Sequence, residues 1–488
     1  YHIIIMKGLK KWGLFLSLVI YVTLALVYSN KQGFWHDEIH TLSFLKGTSA
    51  YNFEGSDLYN EQNIFSIEKI KALLNNDNFI DNFYLQIQHE GHPPIYFICL
   101  KIWSLIVGHS EIALRSFSVL CGLLFFISLY SVLKLKSNKT LTATIFVFLT
   151  LFNPFLFYMF SEARMYALAM LFAVLTFKFW DKYISHQNKG PKNYILYILS
   201  STALLYTHYY GIFFITTLIY FEITRNGLTK NILKSLLPFL LFAPWMVMIR
   251  KQLLFHSNHW TDGSYSFIES IGGFINGISQ LLFSPVSSPL LIEQILTFLL
   301  LAALGIVLLK DKKGLLWISG IIFYFLQIFI FDLLLDHHTI IIPRYYIFLL
   351  IFIVLGIYNI FERFNKNIII ISLTIYILIG ANSIYHIFNL DRAPKQMFRE
   401  LSSYIDINYN PDNTLIVLET KGPLIYGIAN YIKGDFHVVY APYYKPNKKY
   451  TNVIIFEEVL GISYLSYIDK TNKKGLEKIQ FVGINLYE

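Results

Sequence analysis

The sequence predicts an α-helical polytopic membrane protein, and three observations lead to this fold class. Of the 488 residues, 55% are apolar, 17% aromatic and only 15% charged, and the mean hydropathy is +0.49. Apolar runs of roughly 20 residues, each long enough to cross a hydrocarbon core of about 30 Å, recur between Trp12 and Asn389. Many Lys and Arg residues fall in the short loops between these runs, as orientation signals do.

The basic charge and the cysteines exclude several other classes of protein. A formal charge of +9 would indicate a nucleic-acid partner in a soluble chain. Because many of the basic residues lie between apolar runs, we interpret the charge as a topology signal and expect no nucleic-acid partner. Cys99 and Cys121 both lie inside apolar segments, which excludes a disulfide framework and a cysteine metal site.

The first apolar run is expected to be a retained transmembrane helix. It follows Lys7, Lys10 and Lys11, a charge pattern that signal peptides share. However, the run is longer than in a signal peptide, and no A-x-A-like cleavage site follows it. With the lysines on the cytoplasmic side, the segment FWHDE at 34–38 lies at the extracytoplasmic end of this helix.

The later loops extend the same topology across the cell membrane. Basic loops are expected on the cytoplasmic side at 133–139, 180–192, 225–234, 308–314 and 361–367. The turns between them are expected on the outer side at 157–166, 204–211, 251–288 and 336–346. About eleven transmembrane helices result if the run 93–108 does not cross fully, and twelve or thirteen are the alternatives. The hairpin 194–223 is short for two crossings, so its tip is expected within the membrane depth.

The chain is predicted to divide into two domains. Residues 1–390 form the transmembrane domain, and residues 391–488 form a small extracytoplasmic α/β domain with strand-like runs TLIVLE, HVVYA and NVIIFEE. In the first outer loop, residues 51–89 are rich in Asn, Asp and Glu and include amphipathic stretches such as IFSIEKIKALL. These stretches predict interfacial helices on the outer surface.

In this topology the ionisable residues near the membrane collect on its outer side. Such residues are costly unless they face water, a partner or a substrate, so their clustering predicts a functional site. The clustered positions are Asp37, Glu38, His89, Glu90, His92, Glu162, Arg164, His208, His337, His338 and Arg344.

Each position also has an ordinary structural interpretation, which the sequence alone leaves open. Asp37 and Glu38 suit a solvated junction between a helix and a loop. Arg164 suits an ion pair with Glu162 at a helix terminus. The others have similar alternatives: a turn for His92, a buried core position for His208 and snorkelling for Arg344.

As functional groups, these residues favour a lipid phosphate that carries a sugar. One carboxylate of FWHDE can accept a proton from an acceptor group while its neighbour orients a partner. The guanidinium of Arg164 suits a phosphate, and cationic donors stabilise a phosphate leaving group as its charge develops. The abundant Tyr and Trp side chains suit sugar faces.

Six motifs, in this order, resemble the GT-C glycosyltransferases of the protein O-mannosyltransferase and aminoarabinose transferase type. They are FWHDE, HPPIYFICLKIW, GHSEIALRSFSVLCGLL, YMFSEARMYALAMLF, LLYTHYYGIFF and PRYYIFLL, and the resemblance covers roughly residues 13–390. It implies a GT-C fold and an enzyme that takes one sugar from a polyprenyl-phosphate donor. The sugar is then transferred, with inversion, to an acceptor on the outer face of the cell membrane.

The resemblance also implies roles for individual residues. Asp37 corresponds to the family's general base or acceptor-positioning acid, with Glu38 beside it. His92 corresponds to a phosphate-side cationic group and departs from the Lys of the aminoarabinose transferases. The other substrate-binding candidates lie in the later motifs and are Glu162, Arg164, Tyr166, His208, Tyr209, Arg344 and Tyr345. The acceptor stays open between protein, lipid and glycan, and a divalent metal stays open although no DxD motif occurs.

Two other functions share part of this pattern. A transporter or flippase for a lipid-linked sugar predicts inverted repeats and charged helices near mid-membrane, whereas the polar residues here lie mainly toward one face. A polymerase or ligase that moves whole glycans uses the same donor chemistry. Product size, rather than sequence, separates it from a single-sugar transferase.

Overall fold

Helices dominate the architecture, as the apolar runs predict. The computed structural model describes residues 2–48, 64–75, 77–136, 140–184, 190–255, 266–283, 294–295, 298, 305, 312–360, 366–389, 398–418, 423–440, 449–458, 478–481 and 484–487. The α-helices described are His2–Ser29, His36–Lys46, Ile67–Asn75, Phe79–His89, Ile95–Val107, Glu111–Lys136, Thr140–Leu151, Pro154–Phe160, Tyr166–Ile184, Pro191–Leu205, Gly211–Asn226, Lys230–Ser235, Leu237–Phe242, Met246–Phe255, Phe267–Phe283, Lys312–Leu335, Leu349–Ile360, Lys366–Phe388, Phe398–Asn408 and Pro423–Tyr431.

Several helices are long and apolar enough to cross a membrane. Within the described ranges there are four: Trp12–Ser29, Glu111–Lys136, Ile232–Leu254 and Gly314–Leu335. A fifth span results if Thr140–Leu151 and Pro154–Phe160, which meet at an angle of 68°, are counted as one. The predicted number of about eleven crossings therefore stays a prediction.

The bend of that pair follows from its sequence. Pro154 occupies the first turn of the second helix, where its missing N–H costs nothing, and it ends the preceding helix. Asn153 caps the new helix, since its side chain accepts a hydrogen bond from the Leu156 N–H at 2.8 Å. The bend directs the chain into the loop at 161–165.

The run at 93–108 forms the helix Ile95–Val107 of 13 residues. At about 1.5 Å per residue it measures roughly 20 Å, shorter than a hydrocarbon core of about 30 Å. The hairpin 194–223 likewise contains two short helices, Pro191–Leu205 and Gly211–Asn226. Both observations agree with the expected partial crossings.

The tail forms an α/β domain, as its strand-like runs predict. Its sheet has six described strands, Phe65–Ser66 (β1), Thr414–Leu418 (β2), His437–Tyr440 (β3), Asn452–Glu458 (β4), Lys478–Phe481 (β5) and Ile484–Tyr487 (β6), in the order β1-β3-β2-β4-β6-β5. The central strands β3, β2 and β4 are parallel, and Ile416 aligns with Val438 and Ile454. Strand β2 is buried along its whole length, as expected of a parallel strand covered on both faces.

The first loop contributes to this domain. Strand β1 pairs antiparallel with β3, and the helix Ile67–Asn75 packs against the helix Pro423–Tyr431. The α/β domain predicted over 391–488 therefore includes a strand that precedes it by more than 300 residues; the predicted boundary itself lies outside the described residues. The helix Phe79–His89 exposes Ile80 and Tyr84 on one face, which suits the predicted interfacial helix; residues 51–63 lie outside the described ranges.

Candidate active site

The segment FWHDE opens the short helix His36–Lys46, called the acid helix below. Its two carboxylates lie in the first turn, where the helix dipole favours negative charge. Glu38 also reaches back to the start of the helix, accepting a hydrogen bond from the Trp35 N–H at 3.4 Å. The helix ends at Gly47, whose φ of +72° and closeness to the Asn78 backbone leave no space for a Cβ atom.

Asp37 lies beside two arginines that are distant in sequence. Its Oδ2 accepts a hydrogen bond from Arg344 Nη1 at 3.1 Å, and both side chains are partly open, 20% and 24% exposed. Arg164 Nη1 donates to the backbone carbonyl of Asp37 and to Thr41 Oγ1, each at 3.1 Å. The structure thus brings together the predicted acid and both predicted arginines.

These cations determine the protonation state of Asp37. Burial by itself would raise the pKa of this carboxyl, but the charges of Arg344 and Arg164 outweigh burial, with a smaller contribution from His36 and His40. The pKa of Asp37 is therefore held well below its usual value. At neutral pH the side chain is an ionised acceptor.

Glu38 points to a different environment, although it is the next residue. It is fully buried and forms a bidentate ion pair with Arg115, with Nε–Oε1 and Nη2–Oε2 distances of 2.8 and 2.5 Å. The Ala163 N–H donates a third hydrogen bond to Oε1 at 2.8 Å. Glu38 thereby ties the acid helix to the loop at 161–165.

That loop carries two of the predicted site residues. Arg164 is 5% exposed, and among the described residues its buried Nε has no hydrogen-bond partner. Glu162 is also buried, at 2% exposed. A buried guanidinium with unused donor capacity is suited to an anionic ligand.

His92 and His208 lie on the neighbouring side of the site. His92 Nδ1 is 2.7 Å from Glu90 Oε1, and the rings of His92 and His208 are 6.2 Å apart. Burial lowers the pKa of His92, and the hydrogen bond with Glu90 offsets part of this effect. A fixed positive charge on His92 is therefore not favoured.

His208, next to His92, is a buried imidazole of the site. Burial lowers its pKa well below the usual value, so its imidazole is neutral. Its Nδ1 accepts from the Tyr210 N–H at 3.3 Å, which leaves the proton on Nε2. Among the described residues this buried Nε2–H has no partner.

Of the predicted tyrosines, Tyr166 and Tyr345 lie near His208, whereas the hydroxyl of Tyr209 contacts a neighbouring segment. The rings of Tyr166 and Tyr345 lie 5.9 and 6.5 Å from the ring of His208, and Tyr345 stacks on Tyr210. Tyr209, a predicted substrate-binding residue, instead donates to Gln252 Oε1 at 2.5 Å and accepts from Trp245 Nε1 at 3.0 Å. Its hydroxyl therefore joins its loop to the segment 243–255.

Arg115 and His40 were not predicted from the sequence. Arg115 lies inside an apolar helix, and only its buried contact with Glu38 reveals its importance. His40 stands one helical turn after His36, with ring centroids 5.0 Å apart, so the spacing in HDEIH was the available signal. Among the residues that the structure describes, no group of three or more His, Cys, Asp or Glu side chains is placed to bind a metal ion.

The apolar helices, the small α/β domain and the polar site around Asp37 together describe a multi-pass membrane protein with a small α/β domain. Residues 91–253 match the family model described as dolichyl-phosphate-mannose-protein mannosyltransferase. The crystal structure of ArnT from Cupriavidus metallidurans bound to undecaprenyl phosphate has a similar fold, with a TM-score of 0.51, 10% identity and 97% of each chain covered. ArnT from the same organism in the apo state gives a TM-score of 0.44 and 11% identity, again over 97% of each chain. No curated protein sequence matches the chain.

The chain thus has the GT-C fold, which confirms the fold predicted from the motif order. The matched family model covers about one third of the chain and includes the motifs of His92, Arg164 and His208.

Proposed function

We propose that this protein transfers a single sugar from a polyprenyl-phosphate donor to an acceptor hydroxyl, with inversion at the anomeric carbon. The observation that carries the proposal is the ion pair between Asp37 and Arg344, residues from opposite ends of the helical domain. A base and a phosphate-binding cation in contact are what this reaction needs at its two reacting ends. The family match over residues 91–253, and the binding of undecaprenyl phosphate by ArnT, support this donor class.

The proposed reaction is a direct displacement. The acceptor oxygen attacks the anomeric carbon while its proton passes to a carboxylate oxygen of Asp37. The bond between the anomeric carbon and the phosphate oxygen breaks, and its electron pair leaves on the polyprenyl phosphate. The products are the glycosylated acceptor and the lipid phosphate, with the proton on Asp37 released afterwards.

Arg344 and Arg164 are proposed to bind the phosphate. Arg344 makes one hydrogen bond to Asp37 and stays partly open, so a phosphate can share or replace that contact. Arg164 has unused buried donor capacity on the same side of Asp37. When these guanidiniums turn toward the phosphate, Asp37 becomes available to the acceptor.

His92, His208, Tyr166 and Tyr345 are proposed to line the donor site. The neutral Nε2–H of His208 suits a sugar or phosphate oxygen, and the two aromatic rings suit the sugar face. Glu38 receives a different role from the one first expected. Since Glu38 binds Arg115 and accepts hydrogen bonds from the Trp35 and Ala163 N–H groups, we assign it to positioning the acid helix and the 161–165 loop.

The proposed site lies on the extracytoplasmic side, as the distribution of loop charges predicts. Residues 34–38 follow the first helix, which ends at Ser29, after the short stretch 30–33, and this would hold Asp37 at the depth of a lipid phosphate. The acceptor would then approach from outside the cell. Protein, lipid and glycan acceptors all provide the required hydroxyl.

The test is the substitution Asp37→Asn in the purified full chain. Removing the base should lower the transfer of sugar from undecaprenyl-phosphate-linked hexoses or pentoses by about 100- to 10,000-fold. The matched control is Asp77→Asn, which changes an acid of the same loop that pairs with Lys101 at 2.6 Å. Near-normal turnover by the Asp37 variant would overturn the proposal. Mass spectrometry of the product would distinguish one added sugar from a transferred glycan.

A further inference from the structure

The C-terminal domain holds the chain segment that leads into the active site. This linker, residues 30–35, joins the first helix to the acid helix. The Phe34 N–H donates a hydrogen bond to the hydroxyl oxygen of Tyr431 at 2.6 Å. The same hydroxyl donates to Glu111 Oε1 at 2.9 Å, so its geometry is fixed from both sides.

Arg399 provides a second contact from the same domain. Its Nη2 donates to the carbonyl of Lys31 at 2.7 Å, and its Nη1 lies 3.8 Å from Glu111 Oε1. Gly33 makes this approach possible, because a Cβ there would lie 2.9 Å from Arg399 Cβ and 3.1 Å from the Tyr431 hydroxyl. The absence of a side chain at residue 33 thus lets the domain reach the linker backbone.

Two side chains from one turn of the helix Glu111–Lys136 contact the C-terminal domain and the linker. Glu111 and Arg115 are four residues apart and therefore lie on the same face. Glu111 holds Tyr431, while Arg115 binds Glu38 and donates to the carbonyls of the linker and of the preceding helix end: Ser29, Gln32 and Gly33. The linker backbone is therefore held between the transmembrane helices and the C-terminal domain.

The packing around the contact joins the two domains. The helix Pro423–Tyr431, which ends at Tyr431, packs against the acid helix as well as against Ile67–Asn75. One face of the sheet, with Ile416, Val438 and Ile454, belongs to the same hydrophobic core as the transmembrane helices. A displacement at Tyr431 is therefore expected to reach the acid helix.

We propose that Tyr431 is a positioning residue for the proposed base: through Phe34, its hydroxyl fixes the start of the acid helix so that Asp37 faces Arg344. This inference rests on the proposed function for its catalytic meaning. It makes the C-terminal domain a working part of the active site. Small displacements of a reacting group are costly, since about 1 Å can reduce the rate by about 100-fold.

The first test is kinetic and uses Tyr431→Phe, which removes only the hydroxyl. We expect kcat to fall about 10-fold or more, with little change in the donor KM, because Arg344 and Arg164 remain in place. The charged and titratable groups that interact with Asp37 include Arg344, Arg164, His36, His40, His92, Tyr166 and Tyr345. If Asp37 moves away from Arg344, its pKa rises, so the acid limb of the kcat/KM profile should shift to higher pH. A variant that only loses folded protein would lower activity equally at every pH.

The matched control is Tyr450→Phe. Tyr450 is buried in the smaller core cluster of the α/β domain, with Leu415, Val417, Val439 and Ile455. Loss of the Tyr450 hydroxyl should leave kcat and the acid limb of the kcat/KM profile unchanged. If Tyr431→Phe behaves like this control, the positioning role is overturned.

A second test does not depend on activity. Hydrogen exchange of the 30–40 segment in the full chain should become faster in Tyr431→Phe, because the Phe34 amide loses its acceptor. Glu111→Ala, which removes the partner of the phenol, should act in the same direction and replaces Tyr431→Phe if that variant does not fold. Unchanged exchange in the variant tested would overturn the inference. Since this readout needs no sugar donor, it separates failure of the positioning role from failure of the proposed function.

Discussion

The two acid–arginine pairs of the acid helix, Glu38–Arg115 and Asp37–Arg344, differ in burial and in their hydrogen bonds. On one side, Glu38 and Arg115 are 0% and 2% exposed, and together they make hydrogen bonds to one another, to three carbonyls and to the Ala163 N–H. On the other side, Asp37 and Arg344 are 20% and 24% exposed and share one hydrogen bond of 3.1 Å. Consecutive residues of a helix point about 100° apart, which separates the two pairs.

This difference indicates which pair has capacity for a ligand. The Glu38 carboxylate and the Arg115 guanidinium bind each other and backbone groups of the protein. A substrate could therefore contact them only by breaking a buried ion pair. The Asp37 pair is partly exposed, so in our proposal its hydrogen bond can be exchanged for contacts with a phosphate and an acceptor hydroxyl. The chain thus uses one carboxylate to build the site and, in our proposal, its neighbour to perform the reaction.

The strongest way to sharpen this comparison is to break the buried pair. Arg115→Met should destabilise the protein by about 3–5 kcal/mol, because Glu38 would remain buried without its cation. The measurement is thermal unfolding of the detergent-purified protein. The control is Arg250→Met, which removes an exposed arginine and should leave the unfolding midpoint nearly unchanged.

The opposite pattern is expected for Asp37→Asn, which should keep its midpoint and lose turnover. If Arg115→Met were as stable as the parent, the Glu38 pair would not be the structural one. If instead Asp37→Asn unfolded readily, the open pair would be serving stability. Either result would remove the distinction between the two sides of the helix.

A smaller effect is expected from Arg344→Gln, which removes the positive charge that pairs with Asp37. Loss of a charged hydrogen bond to phosphate is worth about 1.5–3 kcal/mol, so the donor KM should rise by about 10- to 150-fold. The charge of Arg344 lowers the pKa of Asp37, so its removal should raise that pKa. The acid limb of kcat/KM should therefore move to higher pH. A donor KM equal to that of the parent would contradict the phosphate role.

Much of the fold follows from local patterns in the sequence. The strands at 414–418, 437–440 and 452–458 coincide with the predicted runs TLIVLE, HVVYA and NVIIFEE, because each run is apolar and bounded by turn residues. The contact of Asp37 with Arg344 and Arg164 agrees with the topology-based clustering. Loop charge and helix length alone predicted that these residues lie on the same side of the membrane.

The remaining features depend on contacts between distant residues. Arg115 lies in the motif GHSEIALRSFSVLCGLL, but that motif does not reveal its ion pair with Glu38, and Tyr431 lies in the tail that was predicted as a domain of its own. Strand β1 has only two residues, too short for an alternating pattern. The different roles of Asp37 and Glu38 were equally hidden, since neighbouring carboxylates look alike until their partners are known.

The smallest effect is expected from His40→Gln, and it concerns pH. His40 is partly buried beside His36, Glu90, Asp37 and Arg164; burial and then His36 lower its pKa to about 4 from an ordinary 6.5. The folded protein therefore binds fewer protons than the unfolded chain between these values, and this group lowers stability as pH falls from about 6.5 toward 4. The loss is at most about 1.4 kcal/mol per pH unit. In His40→Gln the unfolding midpoint should fall less steeply across this window. An unchanged slope in His40→Gln would mean that this histidine does not link the open side of the acid helix to pH.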